Sequence, residues 1–239
     1  MNTKAIIALV LCCAFWGISF PVLKALMIEL REQSSATQEA STLFFSSWIQ
    51  MARFLIAGVI MFFLTIKISK PTALEIRQGL IIAFWGGIGM WLQADGLAYT
   101  EASTSAFLTQ AYCVFLPLWV AVSHKKLPSK TTIAAVLLVI IGGGILAGVS
   151  TNNLKVGRGE LATIASALFF TFQILTLEKP QYSNNRGRSV TLVMCLGISL
   201  VFLPITFATA PSPTTVVSMG SSASVALLIV VLSSICTVG

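Results

Sequence analysis

Residues 43–66 read LFFSSWIQMARFLIAGVIMFFLTI, and Arg53 is the only charge among them. Apolar side chains occupy every face of this segment. Roughly 20 such residues make a helix that crosses the hydrocarbon core of a bilayer. A barrel strand would instead alternate over about ten residues. Seven further runs of the same kind cover about 5–28, 79–99, 103–123, 131–149, 161–177, 189–210 and 222–239. The expected fold class is all-α, a polytopic bundle of about eight transmembrane helices.

Composition agrees. The 239 residues are 56% apolar and 10% charged, where a soluble domain carries about 25% charge. That excludes a soluble globule, a disordered chain and a secreted disulfide scaffold. The formal charge of +7 would suggest nucleic acid in a soluble protein. Here it fits basic loops that hold a membrane orientation, and no nucleic-acid partner is expected. Cys12, Cys13, Cys113, Cys195 and Cys236 all lie inside apolar runs. None has the spacing of a metal site, so they read as small packing residues.

Pro71, Pro128, Pro180, Pro211 and Pro213 fall in or beside loops, whereas Pro21, Pro117 and Pro204 fall inside runs and remove a helical hydrogen bond there. Gly142, Gly143 and Gly144 suit close helix packing. The first run is too long for a signal-peptide core and lacks a small-x-small cleavage pattern, so it reads as an uncleaved span. With the N-terminus inside, alternate loops place ten basic residues inside and four outside, Arg53 lying within a span. This bias orients the N-terminus toward the cytoplasm.

Particular residues carry a further resemblance. Phe15-Trp16-Gly17-Ile18-Ser19-Phe20-Pro21 lies in the first run and Ala52-Arg53-Phe54-Leu55 in the second. Leu92-Gln93, then Gly96 through Thr109 (GLAYTEASTSAFLT), then Phe115-Leu116-Pro117-Leu118 follow in the third and fourth. Gly144-Ile145-Leu146-Ala147-Gly148 closes the fifth, and Gly157-Arg158-Gly159-Glu160 opens the sixth. This ordered set resembles the EamA-type carriers of the drug/metabolite transporter superfamily. The resemblance implies ten helices in two inverted five-helix repeats, both termini in the cytoplasm, and secondary transport of small organic solutes. It divides the chain into a first repeat over 1–150 and an incomplete second repeat over 151–239. Five spans before the 152–160 joint give independent support, because an odd number inverts the second copy.

Two features depart from the family pattern. The segment Ser123-His124-Lys125-Lys126-Leu127-Pro128 lacks the acid usual after the fourth span. The chain also stops within the eighth span, which gives the expectation of a C-terminal truncation. A homodimer, or another chain supplying the remaining helices, is the partner arrangement this leaves open.

Charges inside spans are expensive and hence informative. Arg53 and Asp95 are the two candidates, expected to pair across neighbouring helices beneath an outer vestibule, or else to snorkel separately to the interface. Asp95 is the one Asp of the chain and a candidate for proton coupling if buried. Glu160 reads as a helix-start acid. The candidates for a solute pathway are polar or aromatic. Gln93, Thr109, Gln110, Tyr112 and Gln173 offer hydrogen bonds; Trp16, Trp91, Phe107 and Phe172 offer apolar walls and cation–π faces. Each could equally serve helix packing, and Trp91 could face lipid.

Enzyme classes fail on inventory. His124 is the single His and lies in a basic loop, one Asp cannot form a dyad, and no P-loop is present. No metal or cofactor is called for. The expected function is secondary transport of small organic metabolites, amino-acid-like or amphipathic, across a bacterial inner membrane. The rival is a membrane protein that transports nothing by itself.

Overall fold

The structure, a computed structural model, describes residues 3–35, 41–65, 70–125, 127–146 and 157–238. Each apolar run forms helix. In chain order they are α1 (Thr3–Ser35), α2 (Thr42–Thr65), α3 (Ala73–Leu97), α4 (Ala102–Thr109), α5 (Tyr112–His124), α6 (Lys130–Leu146), α7 (Arg158–Leu177), α8 (Gly187–Thr209), α9 (Pro213–Ser218) and α10 (Ala223–Ser233). A 3₁₀ turn (Pro180–Tyr182) precedes α8, and a π-helical segment (Ser234–Val238) continues α10. Six helical segments among the described residues are long and apolar enough to cross a membrane, and α4 with α5 counts as one of them. The expected fifth and eighth spans are shorter apolar helices, Lys130–Gly142 and Ala223–Thr237.

Three details differ from the sequence expectation. First, α1 runs on past Ile28 to Ser35, carrying Glu29, Arg31 and Glu32 on the helix. Second, the fourth span divides at Gln110 and Ala111. Pro117 lies in the following turns and withholds the N–H that Cys113 would have received. Third, the loop after α8 holds α9. The Ser212 hydroxyl accepts the Thr215 N–H at 3.3 Å, and Pro213 stands at the first helical position. Those are the ordinary helix-start residues.

The chain forms two compact units, residues 1–84 with 184–239 and residues 85–183. In the first, α2 packs along α8, and α10 packs against α1 and α2. Phe44, Phe45, Ile49 and Phe54 of α2, Leu26 and Leu30 of α1, Ile198 of α8 and Leu232 of α10 form its core. Lipid tails are as apolar as leucine, so packing geometry holds such helices together. Gly79 shows this: a Cβ there would stand 2.6 Å from Val193 Cβ, so only glycine allows α3 this approach to α8. The Trp48 indole donates to Val216 O at 2.9 Å and ties α9 to α2. Where α3 begins, Glu75 Oε2 accepts from Arg186 Nη2 at 2.7 Å, and Oε1 accepts from Arg186 Nε at 2.8 Å and from the Arg186 backbone N–H at 2.9 Å. This hydrogen-bonded pair raises the Arg186 guanidinium pKa above its ordinary range.

In the second unit, α7 packs against α4 and α5, and α6 packs on α4 and α5. No side chain described on α6 is buried.

Candidate functional site

Two glycines set the geometry of the second unit. A Cβ on Gly96 would lie 2.7 Å from Gly159 O, and one on Gly159 would lie 2.8 Å from Gly96 O. The C-terminal end of α3 and the N-terminal end of α7 therefore meet backbone to backbone. The polar side chains beside this crossing cannot avoid one another.

Directly beside it runs a buried chain of hydrogen bonds. Gln93 Nε2 donates to Thr109 Oγ1 at 3.1 Å, and Thr109 Oγ1 donates to Ser105 O at 2.8 Å. Ser105 Oγ lies 3.5 Å from Thr163 Oγ1, which donates to Gly159 O at 2.9 Å. Ser166 Oγ then donates to Thr163 O at 2.6 Å. Gln93 is 4% exposed and the other four are fully covered. In an apolar surrounding, such groups persist because they satisfy one another.

Thr109 is also the last residue of α4. At the break that follows, Gln110 N–H donates to Phe107 O at 2.9 Å and Ala111 N–H to Leu108 O at 3.0 Å. Cys113 N–H donates to Gln110 O at 2.8 Å and Val114 N–H to Ala111 O at 2.9 Å. These are three-residue steps, a 3₁₀ tightening inside a membrane span, a feature that often marks a hinge. It stands about 12 Å of helix below the start of α4.

Toward the other end of α7 the lining turns aromatic. The Phe172 ring lies 5.0 Å from Trp85 and 4.9 Å, edge-on, from Trp119; Phe169 lies 6.0 Å from Trp85. Gln173 packs against Gly86, where a Cβ would stand 2.7 Å from its amide nitrogen. At the opposite end, Arg158 Nη2 pairs with Asp95 Oδ2 at 3.0 Å, and Nη1 donates to Tyr99 OH at 3.0 Å. The guanidinium lies 4.5 Å from the Tyr99 ring centroid. Glu160 Oε2 accepts the Gly157 N–H at 2.9 Å, the helix-start role read from sequence.

The sequence candidates thus divide. Gln93 and Thr109 are joined directly, Gln110 forms the break, and Phe172 and Gln173 are adjacent residues of α7. Phe107 and Gln110 line a cavity of about 200 Å³ together with Val139 of α6. Tyr112 lines a groove of about 510 Å³ between α5 and α6, with Cys113, Thr132 and Glu178. Trp91 is half-buried on α3. Trp16 is half-buried on α1, in the other unit.

The expected pairing of Arg53 with Asp95 is corrected. Asp95 takes Arg158, the charge that opens α7, and Arg53 Nε donates to Thr237 Oγ1 at 2.7 Å. The sequence showed Arg158 at the opening of the sixth run but did not show its partner. Sequence reading also passed over Trp85, Trp119, Ser105 and Thr163. For Ser105 a signal existed: it lies four residues before Thr109, hence on the same helical face.

The sequence is similar to those of known proteins. The chain is 29% identical over 168 residues to a protein of Archaeoglobus fulgidus named an uncharacterized transporter, covering 70% of this chain and 47% of that protein. It is 28% identical over 134 residues to purine permease 3 of Arabidopsis thaliana, covering 52% of this chain and 37% of that protein. The chain thus spans less than half the length of these relatives. No solved structure matches it. Residues 3–147, more than half of the chain, match the model of the EamA-like transporter family, and the chain belongs to that family.

Proposed function

We propose that this chain forms the body of a secondary carrier for small organic solutes. It works by alternating access in a bacterial inner membrane, with its N-terminus cytoplasmic. Residues 1–150 and 151–239 are the two inverted repeats, the second in part. The solutes are amino-acid-like or amphipathic. Gln93 and Thr109 supply polar contacts; Trp85, Trp119 and Phe172 supply a flat apolar wall, and Gln173 a polar group beside it. Purine permease 3, by its name, handles a flat heteroaromatic compound, which such a wall and amides also suit.

One observation carries the reading. The fourth span tightens at Gln110 and Ala111, within the membrane, directly beside the buried Gln93–Thr109 hydrogen bond. Carriers place their solute sites at interrupted helices near mid-bilayer. Non-helical backbone at that depth survives where protein or a water-filled cavity covers it.

The test is uptake into sealed vesicles under an imposed proton gradient, with labelled amino acids, lipophilic cations and adenine. Gradient-dependent uptake of at least one probe is expected, reduced at least tenfold by Gln93→Ala and by Phe172→Ala. An inserted chain that moves none of these probes sinks the reading.

A further inference from the structure

We propose that Arg53 is an anion-recognition residue of the pathway, and that the transported solute presents a carboxylate to it. This rests on the carrier reading above and names the chemistry of its solute.

Arg53 stands eleven residues after Thr42 and twelve before Thr65, at the centre of α2. That is about 16–18 Å of helix from either end, near the level where carriers bind. The residue is 4% exposed. A charge at mid-bilayer is costly, and such residues mark solute or ion pathways.

Neither the Arg158–Asp95 nor the Arg186–Glu75 ion pair involves Arg53. Of its five N–H donors, one is engaged among the described residues: Nε donates to Thr237 Oγ1. The Thr237 hydroxyl itself donates to Leu232 O at 2.7 Å, which fixes the acceptor and hence the plane of the guanidinium. The two Nη nitrogens remain as a planar fork, the geometry that takes a carboxylate through two parallel hydrogen bonds.

The surroundings point the same way. Ser46 and Gln50 precede Arg53 by seven and three residues on the same face of α2, and both are fully covered. Thr237 belongs to the π-helical segment Ser234–Val238, a backbone form frequent at functional sites. A purely structural alternative has Arg53 balancing the negative end of the α10 dipole. That role needs only a positive charge and is indifferent to any solute.

The test is equilibrium binding of labelled benzoate to the whole chain in lipid nanodiscs, with benzamide as its uncharged isostere. Saturable benzoate binding is expected, at least tenfold tighter than benzamide. Arg53→Gln weakens it at least tenfold, and Arg53→Lys weakens it less, because the charge stays and the fork is lost. Thr237→Val, which frees Nε while keeping the charge, weakens benzoate several-fold and leaves benzamide unchanged. Equal binding of benzoate and benzamide overturns the proposal, as does benzoate binding untouched by Arg53→Gln or absent from the wild type. Uptake of uncharged adenine that survives Arg53→Gln would leave the carrier reading standing while this one falls.

Discussion

Asp95 shows what single residues of this chain had to settle. Its carboxylate is 9% exposed, while its partner Arg158 is 58% exposed. Removing the exposed partner is the damaging change, because it strands the covered charge at a cost of about 1–3 kcal/mol. Arg158→Gln should therefore lower the melting temperature of the detergent-solubilised chain by several degrees. The exchange Asp95→Arg with Arg158→Asp should recover part of that loss, and an exchange no better than the single variants would show that the pair is not the link. The sequence exposed Asp95 as a charge inside an apolar run. It concealed the partner, since Arg158 lies 63 positions away and only the α3–α7 crossing brings the two together. Arg53 was likewise legible as a residue of interest but not as one held by Thr237, 184 positions distant.

Elements were easier to read than partners, because the helices follow from hydropathy, a property of each local window. The eight apolar runs all became helix, with ends displaced by a few residues. The break at Gln110 and Ala111 was not legible: neither residue is a helix breaker, and Pro117, the proline of this span, withholds its bond from Cys113 instead. Close approaches were half legible, since glycines are visible in sequence and their neighbours are not. A measurable contrast follows between two of them. A Cβ on Gly96 meets Gly159 O at 2.7 Å, whereas one on Gly17 of α1 has nothing within 4 Å. Gly96→Ala must push two backbones apart, which costs about 1–3 kcal/mol. Gly17→Ala meets no clash and gains up to about 1 kcal/mol of helix propensity. Thermal unfolding should show Gly96→Ala clearly destabilised and Gly17→Ala unchanged or improved. Equal effects would mean that the α3–α7 crossing is not tight.

At the scale of the whole molecule, the two ion pairs yield a testable order of membrane crossings where hydropathy leaves it open. Helix α6 has 17 residues, about 25 Å of helix, which is marginal for a crossing. Yet Asp95 at the end of α3 meets Arg158 at the start of α7. The intervening chain must therefore return to the side on which α3 ends. With α4 and α5 making one crossing away from it, α6 is expected to make the crossing back. Glu75 at the start of α3 meets Arg186 just before α8, which puts the start of α8 on the side where α3 begins. The prediction is specific. In a background with the five native cysteines replaced by alanine, single cysteines at Lys70, Ser129 and Arg188 should react with a membrane-impermeant maleimide only after cells are opened. A cysteine at Glu101 should react in intact cells. Arg188 is the decisive position: were α6 to lie along the membrane without crossing it, the start of α8 would move outside and Arg188→Cys would label in intact cells. That result would break the link between ion pairs and topology, and with it the inverted second repeat proposed above.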